Sequence, residues 1–302
     1  MVLTQGDRLQ GFSWDLKALL ASWNWRSEVT LVVALMGALF ASGWWRLRER
    51  GSRTATRWRL ALYLGGLATV CLALMSPIDG LASVLFLVHM VQHELLTMVA
   101  APLLLLANPL AAFLWALPRR PRHWVGRLLT RGALLRRGLW AVTWMPVAWL
   151  VFVVNLWAWH HPAAYQAALR SDLIHDLEHL AFFGTALLFW WPVINPAPRV
   201  RGHIHYGLRI LYVFLAAGQD TLLAGLIGLA DRVLYPYYTA APRLWGLSPL
   251  DDQAWGGAIM WVTGSTIYTT AVLLLVAKAF DHEDRVMRLR ETPAFKPTAA
   301  LR

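Results

Sequence analysis

Apolar residues along this chain gather into seven blocks, at about 29–46, 59–76, 83–107, 139–159, 173–194, 207–230 and 255–278. Each is near the ~20 residues that an α-helix needs to cross a hydrocarbon core. The blocks predict an all-α integral membrane protein of seven transmembrane helices, its membrane domain spanning 29–280. Lysine and arginine fill alternate gaps: 22 of the 28 fall on one side of the predicted bundle and 6 on the other. The positive-inside rule then places the N-terminus outside and the C-terminus in the cytoplasm.

The remaining stretches read as attachments to that bundle. Residues 1–28 form an outer segment made amphipathic by Trp14, Leu16, Leu19, Leu20 and Trp23. Residues 110–138 form a basic segment along the inner surface, and 281–302 form a cytoplasmic tail. The 58% hydrophobic composition, mean hydropathy of +0.46 and 15% charged residues exclude an ordinary soluble domain. The net charge of +11 does not point to nucleic acid, because the arginines sit in the gaps, where they meet membrane lipid. Cys71 is the sole cysteine, which excludes an internal disulfide and any Cys-x-x-Cys metal clamp. A soft-metal site here must use His, Met or carboxylate.

Histidine supplies the candidate chemistry. His89-Met-Val-Gln-His93 and His175-Asp-Leu-Glu-His179 each place two imidazoles one helical turn apart, inside apolar blocks where ionisable groups are costly. The fourth block leaves the membrane at His160-His161-Pro162. With the orientation above, all six of these histidines fall in the outer half of the membrane or at its rim. His123, His203, His205 and His282 all fall on the cytoplasmic side. His89, His93, His175 and His179 are therefore the candidate metal ligands. Asp172 and Asp176 share a helical face with His175 and His179, where a carboxylate orients an imidazole and raises its basicity. Met90, Glu94 and Met98 run beside the His89–His93 face, and thioether with imidazole suits copper. Asp220 lies in the middle of the sixth block and needs a partner there. Glu178 stands with Glu94, Asp172 and Asp176 as a carboxylate around these histidines; it also completes an H-x-x-E-H pattern, the inverted zincin signature, which as an alternative would make it the general base of a zinc protease. One His from each pair could instead hold a haem iron between helices. Histidines that only hydrogen-bond across the bundle would leave a metal-free scaffold.

At these residues the chain resembles the multi-span CtaG-type cytochrome c oxidase assembly factors. The resemblance runs through His89-Met-Val-Gln-His93 to Ala101-Pro-Leu-Leu-Leu-Leu-Ala-Asn-Pro109, then Trp157-Ala-Trp-His-His-Pro162 with Tyr165. It continues through Leu173-Ile-His-Asp-Leu-Glu-His179, Phe189-Trp-Trp-Pro192, Ala230-Asp-Arg-Val-Leu-Tyr-Pro-Tyr-Tyr238, Asp251-Asp-Gln-Ala-Trp-Gly-Gly257 and Met260-Trp261. The chain departs from the pattern at Glu94, where the family is expected to carry methionine. The resemblance implies a non-catalytic assembly factor in the bacterial plasma membrane. It would deliver copper to the haem-copper centre of an aa-type terminal oxidase, with an oxidase subunit as partner.

Overall fold

The computed structural model describes residues 22–130, 132–202 and 204–291, and every described regular element is helical. Helix α1 (Ser27–Glu49) is followed by α2 (Arg57–Met75), the short α3 (Pro77–Ala82) and α4 (Phe86–Leu106). Then come α5 (Leu110–Ala116), α6 (Arg119–Leu128) and α7 (Leu134–Val142). The chain continues as α8 (Met145–His160), α9 (Pro162–Arg170), α10 (Asp172–Ile194), α11 (Tyr206–Gly228) and α12 (Pro249–Glu291). Six of these are long and apolar enough to cross a membrane, seven if α7 and α8 make one broken span.

The fourth span differs from the expected 139–159. Leu139–Val142 belongs to α7, and α8 starts afresh at Met145 with a 64° bend between the two. Pro146 explains the break: it has no N–H to donate to the carbonyl of Val142. Two gaps between the predicted blocks contain helices, α3 and α9, each opened by a proline and N-capped by the preceding Ser76 or His161. The last helix is longer than its apolar block and runs without a break to Glu291, so the first part of the expected 281–302 tail extends α12. The expected outer segment at 1–28 falls mostly outside the described residues, as do His203 and 292–302.

Residues 110–116 were expected along the inner surface. They form α5, which turns back after Asn108 in the left-handed conformation (φ 52°) and packs on α1. Gly43 of α1 lies directly against the Ala112 backbone. Phe113 meets Phe40 and Tyr63 edge-on, at 6.2 and 5.8 Å between centroids.

Helices α4, α8, α10, α11 and α12 form the centre. Two clusters of buried side chains fill it, one around Phe152, Phe189, Tyr212 and Tyr268, the other around Phe86, Tyr165, Phe182 and Tyr235. Close approach is achieved with small residues, as in membrane bundles generally. A side chain at Gly257 of α12 would strike the backbone of Gly228 on α11, and one at Gly256 would enter the Phe86 ring on α4.

Helix α4 contains a π-helical turn, Leu95–Ala100, directly after His93 and Glu94. Pro102 cannot donate to the carbonyl of Met98, and the turn widens so that Ala101 N–H donates to Leu96 O. The carbonyl of Thr97, left over by that change, accepts from Trp190 Nε1 at 3.0 Å. The irregular turn is therefore pinned to α10, the helix that carries the second histidine pair.

Candidate metal centre

The first turn of α4 is held from outside the helix. Backbone N–H groups of Phe86 and Leu87 donate to the two carboxylate oxygens of Asp252, at 2.8 and 2.9 Å. A carboxylate at a helix N-terminus answers both its free amides and its dipole. Asp252 thus fixes the start of the helix that presents His89 and His93. Gln253 does the same for the connection between α11 and α12: its amide oxygen accepts from Leu234 N–H, and its amide nitrogen donates to Ile227 O and Arg232 O.

His89 and His93 meet at 2.9 Å between their Nε2 atoms. Across from them, α10 brings His175 and His179. Ring centroids lie 5.1 Å apart for His89 and His175, 5.4 Å for His93 and His179, and 4.2 Å for His175 and His179. Glu178 points into the same space, 3.7 Å from His89 Nε2 and 3.9 Å from His93 Nε2. Two overlapping triads follow, His89–His175–His179 and His89–His93–Glu178, each with ligand atoms within 4.8 Å of one another. All but His175 are buried.

A tyrosine relay orients His89. The hydroxyl of Tyr238 donates to Ala82 O at 3.0 Å, so its oxygen must accept from Tyr165 (3.0 Å) and from His89 Nδ1 (3.3 Å). Burial raises the Tyr238 pKa well above its ordinary value, and the phenol keeps the proton this scheme requires. With Nδ1 protonated, His89 turns the lone pair of Nε2 toward the cluster. Such an outer partner fixes the tautomer of a metal-binding imidazole.

Many polar atoms here lack a hydrogen-bond partner: both nitrogens of His179, Nδ1 of His93 and both carboxylate oxygens of Glu178. Each such buried atom costs about 1–3 kcal/mol. A cation bound among them would satisfy several at once, and two imidazoles with a carboxylate are a recognised donor set for one.

A family model described as cytochrome c oxidase caa3 assembly factor (Caa3_CtaG) matches residues 38–281. The chain belongs to that family. No curated protein and no solved structure matches it.

Within this assembly factor the remaining candidate residues part company. Asp176 does not orient a histidine; both its oxygens accept from Arg26, at 2.7 and 2.6 Å, which ties the start of α1 to α10. That pairing raises the Arg26 pKa further above its already high value. Asp172 is exposed and belongs to neither triad, and His161 is exposed with its Nδ1 accepting from Ala163 N–H as a helix cap. Glu178, expected beside the ligands, stands among them.

His160 is buried, and its Nδ1 donates to Leu156 O at 2.8 Å, which leaves Nε2 as an unpartnered lone pair. With His93 it lines a small cavity of about 10 Å³, enclosed also by Met90, Met98, Met260, Glu94 and Asp220. Asp220 rests against Gly264, where any side chain would collide with its carboxylate. Glu94, Asp220 and Met90 thus line a second compartment, which shares His93 with the triads.

The tyrosine relay and Asp252 carry no residue type that marks a site in the sequence alone. Their available signal was position: Tyr165, Tyr235–Tyr238 and Asp251–Gly257 all lie within the stretches that resemble the family.

Proposed function

We propose that this assembly factor carries copper, as cargo, to the haem-copper centre of an aa-type terminal oxidase. In this reading it sits in the bacterial plasma membrane with the histidine end facing outward, and it meets an oxidase subunit there. The observation that carries the proposal is the convergence of His89, His93, His175, His179 and Glu178 from two helices into one buried cluster. The chain acts as a carrier rather than a catalyst. Exchange to a partner requires that the ligand set bind without closing permanently, and overlapping triads that share His89 offer alternative positions between which an ion can move. Three thioethers in the adjacent compartment favour a soft ion such as Cu(I).

Haem fits less well. A cofactor of that size needs a pocket of roughly 300 Å³ or more, whereas the space beside the cluster is about 10 Å³. An absorption spectrum of purified protein separates the two readings, since bis-His haem gives a Soret band and Cu(I) gives none. The decisive measurement is copper content of detergent-purified protein after anaerobic Cu(I) loading, wild type beside His93→Ala/His179→Ala. Copper held by wild type and lost from the variant is expected, together with loss of copper from the oxidase in cells carrying the variant. Equal copper in both proteins rules out the proposal.

A further inference from the structure

A second cavity, of about 840 Å³, opens where α10 ends and α11 begins. His175 lies in the first turn of α10 and Ile194 ends the helix, so this cavity lies at the far end of α10 from the histidine cluster. Its wall carries six cationic side chains: Arg136, Arg137, Arg199, Arg201, Arg209 and Lys278. No carboxylate is among its described lining residues. Repulsion among six such charges is unfavourable unless an anion lies between them.

Two of the arginines are arranged for a ligand rather than for solvent. Arg209 is only 7% exposed, its Nε has no hydrogen-bond partner, and its guanidinium lies over the Tyr206 ring at 5.5 Å. It stands in the first turn of α11, where the positive end of the helix dipole disfavours a cation and attracts an anion. Arg201 is stacked on Trp140 at 4.1 Å and donates through Nη2 to Trp140 O, while its Nε is likewise buried without a partner. Burial lowers the Arg201 pKa, as expected of a cation short of counter-charge. Arg136 braces the wall by donating to Leu129 O at 3.1 Å and Arg199 O at 3.0 Å.

We propose that this cavity is a binding site for a phosphate-bearing anion of at least two negative charges, supplied by the headgroup of an anionic phospholipid. Planar guanidinium groups match phosphate oxygens in pairs. The volume falls within the ~300–1,000 Å³ typical of small-molecule sites. The position favours lipid over a soluble phosphate, because the cavity lies at the ends of apolar helices, and basic pockets between spans take headgroups of the cardiolipin type. The copper reading is not needed for this inference.

The test is native mass spectrometry of detergent-purified protein titrated with cardiolipin, with phosphatidylcholine, and with cardiolipin against competing inorganic pyrophosphate. Wild type should retain cardiolipin selectively. Arg201→Gln/Arg209→Gln should weaken retention by about tenfold or more, the effect of losing charge-assisted hydrogen bonds. Lys278→Gln, at an exposed position, should weaken it less and leave thermal unfolding unchanged, which covers the case where the double variant does not fold. Pyrophosphate that displaces cardiolipin at equal concentration would overturn the lipid assignment. Equal retention of cardiolipin and phosphatidylcholine, or by wild type and Lys278→Gln, would overturn the site.

Discussion

At the scale of single residues, the site depends on which hydrogen each polar group commits. Tyr238 gives its only hydrogen to Ala82 O, and that choice sets the tautomer of His89. Tyr238→Phe should therefore weaken Cu(I) affinity by about 10–100-fold, the usual cost of losing an outer partner of a metal ligand. Competition against a Cu(I) chelator measures this, and unchanged affinity would remove the relay from the site. Arg26→Met makes the contrasting case. It breaks a paired contact, but Asp176 keeps 41% of its side chain exposed, so the expected loss is about 1 kcal/mol or less. Thermal unfolding should move slightly and copper affinity not at all. The sequence placed Asp172, His175, Asp176 and His179 on one helical face. It could not show that a face is wide enough to split: His175 and His179 turn to α4, while Asp176 turns to Arg26.

Helix ends and helix contacts set where those residues stand. Asp252 accepts from two amides that α4 cannot satisfy for itself, one turn before His89. Asp252→Ala should cost about 1–2 kcal/mol, as loss of an N-cap does. It should also lower copper affinity, and Asp252→Asn should restore part of both because its amide oxygen still accepts. Unfolding in detergent followed by Cu(I) competition on the same samples checks the pair. Gly257→Val tests packing instead. Its side chain would meet the Gly228 backbone, which cannot move aside as a rotamer can, so α11 and α12 must separate. Loss of the folded protein from detergent extracts is expected, whereas a variant with wild-type stability would show that the helices do not need this contact. Apolar block length located most of these helices well. It failed at α7 and α8, where hydropathy reads through a break that Pro146 and a 64° bend impose.

For the whole molecule, the parity of the spans decides which way the termini face. Arginine distribution predicts an outer N-terminus and a cytoplasmic C-terminus, which needs an odd number of crossings. Among the described residues, the number is odd only if α7 and α8 together make one broken span. Green fluorescent protein fused after Arg302 should fluoresce, and alkaline phosphatase at the same point should be inactive. The reverse result would mean that the bent pair does not cross as one span. What the sequence determined by itself was the helical class, the number and rough position of the apolar blocks, and the placement of the two histidine pairs and most of the arginines toward opposite ends. Those follow from solvation, because a hydrocarbon core rejects charge and unpaired backbone wherever the chain later folds. Only tertiary structure decided that Glu178 joins His89 and His93, that Asp176 and His161 do not, and that Glu94 and Asp220 share a second compartment. Those choices depend on helix rotation and on contacts between residues distant in sequence, which spacing along one helix does not encode.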